Sequence, residues 1–272
     1  MFVILQYLLP HQLINRFAKF LANNKTPWLK NFLIRYFINR YPVNLAEAEN
    51  SDPFSYASYN DFFTRALKPG ARPIDPDEQS IVSPADGALG EFGVIKQETL
   101  IQAKNKFYTL SALLNNNQNL VQKFQEGSYA TIYLAPIDYH RVHMPLDGRL
   151  LSMEYVPGKL FSVNPKAINH IDNIFARNER VLCTFETKIG HVCIILVGAM
   201  VVGSMETPWH GEVQNSHTYE NQTIFLKKGQ EMGRFKLGST VILLFEKNKC
   251  SLSDNLALDM KIRLGRELMQ AI

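Results

Sequence analysis

The sequence predicts an α+β protein, in which a mainly antiparallel β-sheet core follows an N-terminal region of amphipathic helices. Beyond residue 75 most apolar segments have the length and composition of strands, and their connections are too short for parallel βαβ crossovers. The first 46 residues instead repeat apolar side chains at helical spacing. With 272 residues, of which 46% are apolar, the chain is long enough to bury a substantial core.

The N-terminal region is basic and contains no acidic residue. Residues 1–46 include six Lys or Arg side chains but neither Asp nor Glu. Apolar side chains recur at helical spacing first from Leu13 to Leu21 and again from Trp28 to Phe37, with the polar segment 23–27 between them. We therefore predict two amphipathic basic helices.

These two helices have two interpretations. Their apolar faces either pack on the core of the protein or lie on a membrane, with Lys and Arg close to anionic head groups. The absence of acidic residues favours the membrane surface. The opening apolar stretch is well short of the ~18 residues that span a bilayer. It also lacks the charged start and the cleavage site of a signal peptide.

The elements that follow are predicted from local patterns. Ser51-Asp52-Pro53 provides a cap for the segment that leads into a short helix over 59–65, and the Pro- and Gly-containing segment 68–73 is a linker. After residue 75, helical patterns are confined to 110–114 and 120–125. Strands are predicted over 79–82, 87–95, 129–134, 150–156, 181–187, 191–197 and 240–245.

The cysteine content and the charge exclude some classes of protein. Cys183, Cys193 and Cys250 are odd in number and have no C-x-x-C spacing, which fits a reducing compartment without a disulfide framework or a zinc knuckle. The formal net charge of +4 does not by itself indicate nucleic-acid binding.

The segment Phe235 to Thr240, which contains the pair Gly238-Ser239, directly precedes the apolar run 241–245. Such a pair is common in a turn before a strand. It is also a place where the chain can attack itself, because the glycine carbonyl is accessible and the serine supplies a hydroxyl. Attack by Ser239 would turn the peptide bond into an ester, and elimination across its Cα–Cβ bond would leave an N-terminal pyruvoyl group.

Two other segments carry residues that could activate Ser239. Asp86 precedes a glycine between two predicted strands, and His140 and His143 lie in a loop after another strand. An Asp that orients a His, and a His that accepts the Ser proton, form the general arrangement for activating a hydroxyl. The two histidines lack the further ligands that a metal site needs. A nucleophile elbow requires G-x-S-x-G, which is absent from the sequence.

Several motifs resemble those of one family, and they cover almost the whole chain in the right order. They are Phe62-Phe63-Thr64-Arg65, Arg72-Pro73-Ile74-Asp75, Pro84-Ala85-Asp86-Gly87, Tyr139 to Pro145, Pro157 to Asn164, Phe175 to Arg180, Val202 to Thr207 and Lys228 to Thr240. The chain thereby resembles the bacterial, membrane-associated phosphatidylserine decarboxylases, pyruvoyl enzymes made as proenzymes. No departure is visible at the Gly-Ser, Asp or His motifs.

The resemblance implies how the chain is processed. Asp86, His143 and Ser239 would form the self-cleavage triad. Cleavage between Gly238 and Ser239 would give a β chain of residues 1–238 and an α chain of residues 239–272, which stay together as a heterodimer that could dimerise further. The expected cofactor is a covalent pyruvoyl group derived from Ser239, without metal or pyridoxal phosphate. The expected division is a helical membrane-associating region, 1–66, and a catalytic domain, 67–272.

The resemblance also implies the reaction, which is decarboxylation of phosphatidylserine to phosphatidylethanolamine in phospholipid biosynthesis. The substrate amine would form a Schiff base with the pyruvoyl carbonyl, which delocalises the charge left when CO₂ departs. We expect a peripheral protein on the cytoplasmic side of the cell membrane, with no nucleic-acid partner. His140 is the candidate proton donor, although it could equally bond a loop carbonyl. Ser162 and Asn164 are candidate substrate contacts, or else residues that cap a loop.

Two alternative functions remain open at the level of the sequence. A serine hydrolase could use the same three residues without cutting its own chain. A non-catalytic module could bind anionic lipid through the N-terminal helices alone. Both alternatives predict an intact chain, whereas the decarboxylase predicts two fragments.

Overall fold

A nine-stranded antiparallel sheet is the centre of the fold in the computed structural model, which describes residues 6–7, 9–200, 204–218, 224–236, 239–253 and 255–272. Its strands are β2 (Gly87–Val94), β5 (Ser128–Leu134), β7 (Gly148–Val156), β8 (Arg180–Thr187), β9 (Gly190–Val197), β12 (His217–Thr218), β13 (Phe225–Leu226), β15 (Ser239–Phe245) and β17 (Lys261–Ile262). The order is β12-β7-β8-β9-β15-β5-β2-β17, with β13 also paired to β7.

Three smaller antiparallel sheets accompany the large one. Their strands are β1 (Ser80–Val82), β3 (Thr99–Ala103), β4 (Lys106–Thr109), β6 (Arg141–His143), β10 (Met205–Thr207), β11 (Gly211–Glu212), β14 (Glu231–Phe235), β16 (Cys250–Leu252) and β18 (Glu267–Ala271). The sheets have four, three and two strands, in the orders β11-β10-β14-β6, β1-β18-β16 and β3-β4.

Strand β15 is fully buried because it is covered on both faces and paired on both edges. It pairs with β5 on one side and with β9 on the other. Val241, Leu243 and Phe245 face one apolar cluster, whereas Ile242 and Leu244 face a second. A continuous apolar run is the pattern expected of a strand that is buried on both faces.

The two faces of the large sheet are covered by different elements. Four short helices pack on the face that Ile242 shares: α4 (Leu110–Leu113), α5 (Gln118–Phe124), α6 (Pro165–Ile168) and α7 (Ile174–Arg177). Side chains of the four-stranded and three-stranded sheets, including Val142, Phe235 and Met269, pack on the opposite face. The core therefore has three layers, and the large sheet is the middle one.

The N-terminal region contains helices at both predicted positions, α1 (His11–Ala22) and α2 (Pro27–Arg40), followed by α3 (Tyr59–Phe63). Helix α1 is amphipathic as predicted, whereas α2 is not, because it carries large apolar side chains on its exposed side as well as on its buried side. Ile34 and Phe37 of α2 pack against Phe62 and Phe63 of α3 in a separate apolar cluster. Helix α1 is attached to the core by an ion pair between Lys19 and Glu212. No helix in the described part of the chain has the length and apolarity needed to cross a bilayer.

The structure confirms the α+β class, the antiparallel sheet and the N-terminal helices, and it corrects several elements. Helix α3 is capped by the Ser58 side chain, not by Ser51, and it ends at Phe63. Helices α6 and α7 were not predicted, because one turn is too short to show a helical period. Apart from β1, the strands of two to five residues were not predicted, because so short a segment shows little alternation; among them is β6, which contains His143.

Candidate active site

Ser239 begins the central strand at one end of the large sheet. It lies opposite Leu134, the last residue of β5, and the adjacent Thr240 lies opposite Val197, the last residue of β9. The side chain is completely buried, and its Oγ has no hydrogen-bond partner in the described ranges. Gly238, the other half of the expected cleavage bond, lies outside the described residues.

The strand alternation determines which layer Ser239 faces. Successive side chains of a strand point to opposite faces of the sheet, so Ser239 shares a face with Val241. That face is covered by the four-stranded sheet, in which β14 pairs with β6. The backbone between Leu134 and β6 carries His140, whose carbonyl accepts a hydrogen bond from the Phe235 amide at 3.0 Å.

The ring of His143 is held by two contacts that define its tautomer. Its Nδ1 lies 2.8 Å from the Gly229 carbonyl oxygen, which can only accept, so Nδ1 carries the proton. The Tyr139 hydroxyl lies 3.3 Å from Nε2 and donates to it. Burial lowers the pKa of His143, although the Gly229 carbonyl and the Glu231 and Asp86 carboxylates act in the opposite direction. The neutral ring therefore presents Nε2 as the basic nitrogen.

Gly229 is a glycine because of its backbone and its neighbour. Its φ of +79° lies in the left-handed region, and a Cβ there would be 2.6 Å from a side-chain carbon of Ile74. The position cannot accept a side chain without displacing Ile74. Gly229 thereby fixes the carbonyl that orients His143, a role that the sequence analysis did not identify.

Asp86 is buried and forms a bidentate ion pair with Arg72. The Arg72 Nε lies 2.9 and 3.0 Å from the two carboxylate oxygens, and its Nη2 lies 2.6 Å from Oδ2. The Leu264 amide donates to Oδ1 at 2.9 Å. Arg72 also pairs with Glu47 at 2.9 Å, and its guanidinium pKa is raised because hydrogen bonds to the two acids outweigh its burial.

The residue after Asp86 must also be glycine, for a reason other than a turn. A Cβ on Gly87 would be 2.4 Å from the Tyr133 carbonyl oxygen on the adjacent strand β5. Glycine is therefore required here because the chain enters the sheet close against the backbone of β5. This close approach fixes the backbone next to the carboxylate.

The triad predicted from the sequence is only partly assembled in the structure. The His143 amide donates to the Pro84 carbonyl at 2.8 Å, which joins the backbone segments of His143 and Asp86. The Asp86 charge is one of the influences on the His143 pKa. However, among the described residues neither the His143 ring nor the Ser239 hydroxyl forms a hydrogen bond with another member of the triad.

His140 is completely buried beside an aromatic ring. Its imidazole stacks on Phe63, with ring centroids 4.1 Å apart and the planes 23° from parallel. Neither ring nitrogen makes a well-formed hydrogen bond to a described residue. Burial lowers the pKa of His140 to about 3, and the positive charge of Arg65 contributes, against smaller opposing effects from the carbonyls of Pro136 and Ala135. His140 is therefore neutral at pH 7.

Ser162 and Asn164 lie in a loop that contacts the N-terminal helices. The Ser162 amide donates to the Gln6 side chain at 2.8 Å, and the Leu160 amide lies 3.3 Å from Nδ1 of His11. Asn164 caps α6, because its side-chain oxygen accepts the Ala167 amide at 2.8 Å. The capping role of Asn164 is thus visible, whereas contact with a substrate stays a prediction.

This loop lies at the same end of the sheet as Ser239. Asn178 donates to the carbonyls of Phe161 and Gly198, and Gly198 directly follows β9, whose last residue pairs with Thr240. A cavity of about 490 Å³ lies between the loop and the start of α1. Its lining includes Tyr7, His11, Leu160, Phe161 and Arg177.

No cluster of three or more His, Cys, Asp or Glu side chains suited to a metal ion occurs in the part of the chain that the structure describes. Sequence reasoning missed the partners that hold the site residues, namely Arg72, Tyr139 and Gly229. The resemblance motifs contained all three residues but gave them no role. The only signal that could have identified Gly229 is a glycine in a polar turn.

Comparisons with known proteins agree on one family. The model described as phosphatidylserine decarboxylase matches residues 59–270, and a second, described as PSD, matches residues 1–42. Among similar proteins, the phosphatidylserine decarboxylase proenzyme of Acidovorax ebreus is 46% identical over 98% of this chain and 96% of its own. The proenzymes of Herminiimonas arsenicoxydans and Methylobacillus flagellatus are 47% and 51% identical, over 99% and 89% of this chain and 94% and 89% of their own.

Proposed function

The chain belongs to the phosphatidylserine decarboxylase family, and on that premise we propose that it cuts itself and decarboxylates phosphatidylserine to phosphatidylethanolamine. The observation that carries the proposal is the state of Ser239. Its hydroxyl is buried and has no hydrogen-bond partner among the described residues, and it belongs to the first residue of a central strand, on the sheet face that the β6 layer covers. A buried hydroxyl without a partner is costly. Because Ser204 shares that state, it is the position of Ser239, at the Gly-Ser junction that begins β15, that assigns the chemistry to it.

The proposed self-cleavage uses His143 as the base. The His143 Nδ1 proton is donated to the Gly229 carbonyl, so the lone pair of Nε2 is the basic site. Nε2 accepts the Ser239 proton when the Tyr139 hydroxyl, 3.3 Å away, releases that lone pair. The Ser239 oxygen attacks the Gly238 carbonyl, the C–N bond breaks, and an ester forms with a free amine on Ser239. Loss of the Ser239 Cα proton to a base, with cleavage of the Cβ–O bond, then releases the Gly238 carboxylate and leaves dehydroalanine. Its imine tautomer adds water and loses ammonia, which leaves the pyruvoyl carbonyl.

In this proposal Asp86 does not orient the histidine by a hydrogen bond, as the carboxylate of such a triad usually does. Arg72 and the Leu264 amide occupy its oxygens, so it acts on His143 through its charge rather than through a hydrogen bond. A nearby negative charge stabilises the imidazolium that forms when His143 takes the proton. Arg72 fixes the position of that charge.

The residues around Ser239 fit a pyruvoyl group. The group would lie at the start of β15, where the buried strand excludes water. Because the Ser239 hydroxyl has no hydrogen-bond partner among the described residues, its conversion to a carbonyl would break no hydrogen bond with them. When present it supplies a carbonyl for the substrate amine and an electron sink for the departing carboxylate. The protein residues then need only to bind the head group and to deliver one proton to the α-carbon.

We assign that proton delivery to His140. The pKa of about 3 means that the ring starts neutral, and a substrate carboxylate beside it would raise that pKa. We expect the His140→Phe variant to cut normally but to release CO₂ about 10²–10⁴ times more slowly, since it retains a ring against Phe63 and loses both nitrogens. Gel mobility and CO₂ release on the same preparation measure the two effects separately.

A matched variant tests whether stacking, rather than the nitrogens, accounts for the loss. Phe63→Leu removes the stacked ring and leaves His140 unchanged, so we expect it to retain most of the turnover. Normal CO₂ release by His140→Phe would refute the assignment. Poor cutting by that variant would instead place His140 in the processing step.

We also propose that the exposed faces of α1 and α2 bind an anionic membrane surface. Phe17 and Phe20 on α1, and Trp28, Phe32 and Tyr36 on α2, are each between 63% and 72% exposed. Exposed Arg and Lys side chains flank them, and the cavity beside α1 lies at the Ser239 end of the sheet. The other face of α2 packs on α3, so these helices both contact the core and leave an apolar face uncovered.

Two phenylalanines test the membrane face without removing the helices. We expect Phe17→Ser/Phe32→Ser to lower binding to anionic vesicles about 100-fold or more, because each exposed ring loses burial in the acyl boundary. Flotation with anionic vesicles measures this binding. The control is Phe107→Ser/Phe225→Ser, which alters two rings that are 56% and 48% exposed elsewhere. Equal flotation of both double variants would contradict the proposal.

A further inference from the structure

The Arg65 guanidinium is buried and forms no ion pair within the part of the chain that the structure describes. The residue is 4% exposed, and neither Nε nor Nη1 has a hydrogen-bond partner within the described ranges. The guanidinium lies over the Phe62 ring, whose centroid is 5.7 Å from Cζ. A buried cation without a partner is strongly unfavourable, so such a group is normally paired with an anion.

The charges around Arg65 do not supply that anion. Burial lowers its pKa, and the groups that act on it through charge are Tyr56, Tyr139, Asp86 and Arg72. The only carboxylate among these, Asp86, is already held by Arg72 through both oxygens. The two tyrosines are neutral at pH 7, because burial raises the pKa of each above its ordinary value.

Arg65 lines a pocket of about 210 Å³ together with two other arginines. Arg141 and Arg234 both bind Glu231, at 2.8 and 2.9 Å, on opposite oxygens. Glu49 and Asp61 also line the pocket, but both are exposed to solvent, and Asp61 accepts a hydrogen bond from Ser58. The buried charge in the pocket is therefore cationic, and the lining carboxylates are hydrated.

We propose that this pocket binds a phosphate group on Arg65, with Arg141 and Arg234 beside it. Guanidinium N–H groups match phosphate oxygens in geometry and charge, and such charge-assisted bonds are among the strongest in proteins. The pocket has the volume of several waters at about 30 Å³ each, which leaves room for one phosphate group. The anion would replace the missing counterion of Arg65.

Two sources could supply this chemistry, namely free inorganic phosphate or the phosphodiester of a phospholipid head group. Arg65 follows α3, the helix on which α2 packs, so the pocket adjoins the region proposed to meet lipid. The site goes beyond the decarboxylase proposal, because it involves none of the atoms of the Gly238-Ser239 chemistry. The two can therefore fail independently.

Binding is measured by calorimetry on the full chain carrying Ser239→Ala, which avoids any heat from turnover. Inorganic phosphate and glycerophosphoserine are titrated separately at constant ionic strength, with chloride as the reference anion. We expect at least one of them to bind, and Arg65→Gln to weaken that binding about tenfold or more. Arg65→Lys should restore only part of the affinity, because lysine lacks the forked donors.

The thermal midpoint keeps the test valid if a variant is altered in stability. Arg65→Gln removes an unpaired buried charge, so it should fold, with a midpoint equal to or above that of the parent. Saturating anion should raise the midpoint of the parent by about 1–3 °C and leave that of Arg65→Gln unchanged. Arg149→Gln, at an exposed arginine paired with Glu186, is the control and should behave as the parent.

The outcomes separate the two sources and define failure. Binding of glycerophosphoserine assigns the pocket to a lipid head group, whereas binding of inorganic phosphate alone assigns it to the free ion. The proposal is overturned if neither anion binds the parent, or if Arg65→Gln binds as tightly as Arg149→Gln.

Discussion

Replacing Ser239 by alanine should leave a single uncut chain with no decarboxylase activity. The hydroxyl is the proposed nucleophile and the source of the pyruvoyl carbonyl, so its loss removes both the cut and the cofactor. The fold should persist, since Ser239 makes no side-chain hydrogen bond in the described part of the structure and alanine fits the same buried space. Intact mass and CO₂ release on one preparation report both effects.

The matched control is Ser204→Ala. Ser204 is also buried, its hydroxyl has no partner among the residues that the structure describes, and its carbonyl accepts the Lys236 amide on the segment that leads to the cleavage site. We expect this variant to give two fragments, the smaller beginning with pyruvoyl linked to Thr240, and to retain activity. Two fragments from Ser239→Ala, or an active uncut chain, would exclude Ser239 as the cofactor precursor. An intact wild-type chain labelled at Ser239 by a fluorophosphonate would instead indicate a serine hydrolase.

Replacing His143 by alanine should slow self-cleavage about 10²–10⁴-fold, as expected when a general base is removed. The pH dependence provides a second test. Burial lowers the pKa of His143, and only the neutral ring can accept a proton. The wild-type cleavage rate should therefore reach half its maximum below pH 6.5, the pH at which an ordinary histidine is about half protonated. A time course of cutting after synthesis in a cell-free system at several pH values measures this.

Two variants distinguish a chemical role of His143 from a structural one. His170→Ala alters an exposed histidine and should cut at the wild-type rate at every pH. Tyr139→Phe removes the hydroxyl that lies 3.3 Å from Nε2 and should shift the pH profile while cutting continues. A half-maximal rate at pH 6.5 or above in the wild type, or fast cutting by His143→Ala, would refute the assignment of the base.

The large features of the fold were predictable because each has its own local pattern. The run 241–245 is continuously apolar because both faces of β15 are buried, and the helical spacing over 13–37 marks α1 and α2. Strands of two or three residues, such as β6, have no period to detect, and their existence depends on partners far along the chain. The cap at Ser58 is local but competed with an equally plausible signal at Ser51.

The site was predictable in its chemistry and not in its contacts. Asp, His and Ser were identified by type and by resemblance, but hydrogen bonds depend on the packing of distant segments. Arg72 holds Asp86 because the linker that carries it folds back over the start of β2, and no local pattern encodes that return. The same holds for Arg65, whose burial beneath α3 distinguishes it from an ordinary solvated arginine.

The central position of β15 has a consequence for the life of the molecule. Under the proposed cleavage, residues 239–272 remain bound because all seven buried residues of β15 pair with β5 and six of them also pair with β9. Once denatured, however, the two pieces would have to find each other again, so refolding becomes a bimolecular event that dilution disfavours. After cleavage the protein therefore refolds poorly once it has unfolded, and the lifetime of the active enzyme depends on its rate of unfolding.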